Sequence, residues 1–177
     1  MSHNHKTKIM KNLFLMLTYL LIVTSSAHAQ KCQDLLLSVK NKDYEQVKKL
    51  LKTVDPNCFY DGKIQPRTPL GMAAAKGNLD LGKLLIENGA KATYRYKRDA
   101  SALMIASQKG DYNFSKYLIA NGAKVNRKID GDGTPLISAV RGGNKSIVSL
   151  LLKKGADPNV DVTGDGNAIM RLENMIG

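Results

Sequence analysis

A short pattern returns at a fixed interval of 33 residues and narrows what this chain can fold into. Thr68-Pro69-Leu70, Ser101-Ala102-Leu103 and Thr134-Pro135-Leu136 keep that spacing. So do Gly77, Gly110 and Gly143, and so do the pairs Gly89-Ala90, Gly122-Ala123 and Gly155-Ala156. Repetition at such a period marks a row of stacked units, none of which can bury its apolar face alone. Every unit must therefore offer one face to its neighbour.

Within a unit the residues read as two antiparallel helices and a projecting loop. Thr68 is placed to cap a helix, and Pro69 falls at its first position, where the missing N–H costs nothing. Leu70, Ala73 and Ala74 make a thin inner helix, which Gly77 ends in a left-handed conformation. An outer helix over Leu79–Asn88 supplies Leu81, Leu84, Leu85 and Ile86 to the core. The equivalent sets are Phe114, Tyr117, Leu118 and Ile119, then Ile147, Leu150, Leu151 and Leu152. Gln33 to Pro56 is a diverged first unit, in which Lys42 stands where a helix-ending glycine is expected.

The period, the Thr-Pro-Leu opening and the Gly-Ala ending together resemble the ankyrin repeat, over roughly residues 33–170. The resemblance implies an all-α fold, an α-solenoid of helix-turn-helix repeats with projecting β-hairpin loops. Its units fall at about 33–66, 67–99, 100–132 and 133–165. Residues 166–177 begin another, which is either a short C-terminal cap or the start of a longer array. The histidine usual after Thr-Pro-Leu is replaced by Gly71, Met104 and Ile137.

Residues 1–29 stand apart from the array. Lys6, Lys8 and Lys11 precede an apolar run over Leu13–Val23, and Ala27-His28-Ala29 completes a small-x-small cleavage site. This is the pattern of a secretory signal peptide, with cleavage expected between Ala29 and Gln30 and a periplasmic or secreted product over 30–177. A membrane span would need about 20 apolar residues, and this run is too short. All three histidines lie in the leader, so the mature chain holds none. Histidine-based nucleophilic catalysis and histidine metal sites are excluded on that count. Neither an enzyme nor a cofactor is expected.

Charge directs the reading of partners. The mature chain carries 24 basic residues against 15 acidic ones. The resemblance implies that the loops and inner-helix ends form the concave, partner-binding face. That face collects Ile64, Gln65, Arg67, Ala75 and Lys76, then Tyr94, Arg95, Tyr96, Lys97, Arg98, Gln108 and Lys109, and finally Arg127, Lys128, Asp130 and Arg141. Arginine and tyrosine are frequent binding hot spots. The expected partner is a protein with an acidic surface. Nucleic acid suits the charge but not an exported address. The resemblance also stacks adjacent loops side by side, which could bring Cys32, at the end of an entering strand, to Cys58 at the start of the next loop. In an oxidising compartment the two would form a disulfide. Asp130-Gly131-Asp132-Gly133 looks like the start of a calcium loop, but its twelfth position falls on Arg141 rather than on a glutamate. The phrase Gly131-Asp132-Gly133-Thr134-Pro135-Leu136 also resembles ankyrin tails of bacterial membrane metallopeptidases. No His-Glu-x-x-His motif accompanies it, so an alternative role is a stand-alone regulatory array beside such a sensor system, or an anionic-ligand binder.

Overall fold

Cys32, Leu35, Leu36 and Val39 are spaced as one face of a helix, and all four are buried. They lie on helix α1, which covers residues 29–41 in a computed structural model of the chain. The structure describes residue 16 and residues 29–97, 99–129 and 133–160. The helical state of Cys32 corrects the expected entering strand. No proline or glycine interrupts 29–41, so nothing in the run stops a helix from carrying Cys32 into the core. Residues 1–15 and 17–28, with most of the expected leader, Arg98, Asp130 to Asp132, and residues 161–177, with the expected partial unit or cap, lie outside the described residues.

Seven further helices follow: α2 Tyr44–Leu51, α3 Pro69–Ala75, α4 Leu79–Glu87, α5 Ala102–Lys109, α6 Tyr112–Ala120, α7 Pro135–Arg141 and α8 Lys145–Lys153. They alternate as inner and outer layers of one solenoid. The inner helices α3, α5 and α7 stack closely on one another, while the outer α4, α6 and α8 touch more lightly. Small inner residues explain the difference, since Ala73, Ala74, Ala106 and Ala139 are fully buried and let the backbones approach.

Caps recur with the period. Thr68 Oγ1 accepts from Gly71 N, Ser101 Oγ from Met104 N and Thr134 Oγ1 from Ile137 N, each at 3.2 Å. Asn78 and Asp111 cap α4 and α6 in the same way. Asn144 instead turns its side-chain amide to the preceding unit and donates to Ser107 O and Gln108 O. Gly77, Gly110 and Gly143 all have positive φ, and so does Lys42, at 60°. The left-handed turn is thus kept in the first unit by a residue that a Cβ penalises.

Large and small residues interlock between the outer helices. Phe114 is fully buried and lies where a Cβ on Gly82 would collide with its ring. Leu152 departs from expectation. The turn of α8 directs Ile147, Val148 and Leu151 inward and leaves Leu152 41% exposed. The loops also differ from regular hairpins. Among the described residues there is no strand, only a single antiparallel bridge between Ile129 and Gly133. Cross-repeat side-chain contacts hold the first two loops instead.

Candidate interaction surface

The first and second loops are tied by a cluster that no period announces. Phe59 and Tyr96 stack with ring centroids 4.2 Å apart. Arg67 Nη1 donates to Asp99 Oδ1 at 3.0 Å, while its guanidinium carbon lies 5.5 Å from the Tyr96 ring centre. Lys97 Nζ sits 4.7 Å from the same ring centre and 3.5 Å from Asp61 Oδ2. The Tyr96 hydroxyl, with help from Lys97, holds the Asp61 carboxyl below its ordinary range. That hydroxyl, together with Asp61, also raises the Lys97 ammonium, so both groups carry full charge at neutral pH.

These contacts sort the candidate residues. Tyr96 is only 6% exposed, which makes it the floor of the patch rather than a contact point. Arg67 is half-buried and engaged with Asp99, so it clamps two loops together. Lys97 is exposed above that floor. Arg95 is half-buried, with Nε and Nη1 enclosed and lacking a hydrogen-bond partner. Tyr94 is half-buried, and burial raises its hydroxyl pKa, with the Asp55 carboxylate adding to the effect. Arg98 lies outside the described residues.

At the inner-helix ends, Lys76, Lys109 and Arg141 are exposed on successive units. In the third loop Lys128 is exposed and Arg127 half-buried, and with Lys124, Val125 and Asn126 they line a groove of about 510 Å³. Sequence reasoning passed over Lys124, although it follows Gly122-Ala123 just as Lys91 follows Gly89-Ala90. It also passed over Phe59, which is 44% exposed.

Cys32 and Cys58 are joined, with Cα atoms 5.9 Å apart, and fasten α1 to the start of the first loop. Asn57 carries the link onward: its Nδ2 donates to Gly89 O at 2.9 Å and its Oδ1 accepts from Lys91 N at 2.8 Å. Asn126 repeats that latch against Gly155 O and Asp157 N. Among the described residues no group of acidic, histidine and cysteine side chains could hold a metal ion, and no helix is long and apolar enough to cross a membrane.

A comparison with curated proteins gives no match. The family model for ankyrin repeats (3 copies) matches residues 35–129 and 97–162, which takes in the latches, the loop clamp and every helix from α2 to α8. The in-phase caps, the two-layer stack and this match agree: the chain belongs to the ankyrin-repeat family.

Proposed function

We propose that this protein is an exported, non-enzymatic binding module that captures a partner protein through the basic face formed by its loops and inner-helix ends. Ankyrin repeats are general protein–protein interaction modules, and the fold is typically not enzymatic. The observation that carries the finer reading is the exposure of Lys76 and Lys97 on the second unit and of Lys109 and Lys128 on the third, stacked beside it. Lys97 adds a fixed position, since the buried Tyr96 ring and Asp61 hold it in place. A basic row of this kind fits an acidic partner surface and speeds encounter with it. The leader pattern and the Cys32–Cys58 bond both suit an oxidising compartment outside the cytoplasm.

Charge reversal tests the face. Lys97→Glu with Lys128→Glu should abolish capture of the natural partner from a periplasmic extract, with helical content and melting unchanged. Lys48→Glu with Lys49→Glu, on α2, should leave capture nearly intact. Capture by the unmodified chain should weaken steeply with added salt, because exposed charges are screened over about 8 Å at physiological ionic strength. Equal losses from both pairs of reversals would show that charge acts diffusely and that the face is misassigned.

A further inference from the structure

Beside the disulfide lies a groove of the opposite character. Its volume is about 520 Å³, within the range of small-molecule and side-chain pockets. The walls come from Phe59, Tyr60 and Tyr94, with Asp55 and Asp61 among them, and Ala29 lines one side, a side that cleavage before Gln30 would open. No lysine or arginine is among its described lining residues, although the chain as a whole carries a net charge of +12. Lys97 and Arg67 approach Asp61 from the second-loop side, at 3.5 and 4.0 Å. Asp55 takes part in no ion pair among the described residues, and its Oδ1 accepts only from Asn57 N and Asn57 Nδ2. Its negative charge is felt at Tyr94, whose hydroxyl it helps to keep protonated.

We propose that this groove receives the cationic side chain, lysine or arginine, of a partner polypeptide, with Asp55 as its counter-charge and the Phe59, Tyr60 and Tyr94 rings as its walls. Two properties of the site favour that occupant. Aromatic ring faces attract cations, and a carboxylate without a positive partner leaves a local field of the right sign. Phe59 is held against Tyr96 yet remains 44% exposed, so part of its ring is open to an occupant of the groove. The walls are also set in advance. Cys58 is fixed to α1, Asn57 latches the first loop to Gly89 and Lys91, and Tyr96 backs Phe59. A preformed site loses little freedom on binding. The groove goes beyond the basic face, since it calls for a partner segment whose positive anchor lies next to acidic surroundings.

The test needs no knowledge of the natural partner. The disulfide-intact chain is titrated with a capped pentapeptide, Ala-Gly-Lys-Gly-Ala, while NMR follows the ring protons of Phe59, Tyr60 and Tyr94. Peptides with arginine, norleucine or glutamate at the centre serve as comparisons, and tetramethylammonium represents a free small cation. Saturable shifts of all three rings with the lysine and arginine peptides only are the expected result. Asp55→Asn keeps the Oδ1 acceptor for Asn57 and should weaken binding at least fivefold without changing the circular dichroism. Phe59→Ala should weaken it by a similar factor. Equal binding of the norleucine peptide would reduce the site to a plain apolar groove and overturn the proposal. Tetramethylammonium binding as tightly as the peptides would assign the groove to free cations, which also overturns it. An Asp55→Asn variant that binds as well as the parent would remove the counter-charge from the argument. Because the probes are cationic, success or failure here is independent of the basic face.

Discussion

Removing the Cys32–Cys58 bond should loosen one end of the array and leave the remainder nearly untouched. The bridge closes a segment 26 residues long, between α1 and the first loop. In the chain-entropy model a loop of that length is worth about 3.5 kcal/mol. Both cysteines are buried, at 1% and 7% exposure, so Cys32→Ala with Cys58→Ala removes the link without placing a polar group in the core. In a linear array each unit touches only its neighbours, so the loss is confined to the first unit and does not spread evenly.

Native-state hydrogen exchange reads this directly. A drop of about 3.5 kcal/mol in local opening free energy corresponds to exchange about 300-fold faster. That acceleration is expected at amides around Val39, Val47 and Val54, with those around Leu118 and Leu151 little changed. An even loss of protection from α2 to α8 would refute the nearest-neighbour reasoning. Unchanged exchange at Val47 would refute the idea that the bond stabilises the first unit. Two reactive thiols in the protein denatured without reductant would show that the bond does not form.

Two further substitutions test packing and backbone. A helical glycine is normally improved by alanine, but at the buried Gly82 the change to alanine should cost about 1–3 kcal/mol by thermal melting, because its Cβ meets the buried Phe114 ring. Adding Phe114→Leu should recover most of that loss, and a rise in melting temperature for Gly82→Ala alone would sink the argument. Lys42→Gly should raise stability by about 0.5–1 kcal/mol in urea unfolding, since Lys42 holds a φ of 60° that glycine adopts without a Cβ penalty. A lower midpoint would mean that the lysine side chain contributes more than its backbone costs.

What could be read in the sequence was whatever the period repeats. Thr68, Ser101 and Thr134 cap helices as their spacing implied, and the in-phase glycines take positive φ. The surface was less legible because its key contacts join residues with no periodic relation. Phe59 and Tyr96 are 37 positions apart, and Lys42 stands 35 rather than 33 residues before Gly77, so the stack between them falls out of phase. Tyr96 therefore reads as an exposed aromatic in the sequence and proves to be a buried platform. Cys32 shows the same limit at the chain level: the family pattern suggested a strand, while its own i, i+3, i+4, i+7 spacing with Leu35, Leu36 and Val39 already favoured a helix. Leu152 was overcounted because an apolar run hides which residue of it the helix turns outward.

The irregular links are not spread evenly along the array. The disulfide, the Arg67–Asp99 ion pair, the Phe59–Tyr96 stack and the Tyr44–Asn78 hydrogen bond all lie in or between the first two units. Later junctions rely on Asn126 and Asn144 with the common helix stacking. An end unit has a neighbour on one side only, so it frays first unless something else holds it. Here the extra links fall at that end, and they join the loops that carry Lys97 and the aromatic groove. A loop position that moved with every opening of the first unit could not present a charge at a fixed distance from an aromatic wall. The same contacts that stop the end from fraying therefore give the proposed recognition surface its geometry, and weakening them should cost binding before it costs the fold.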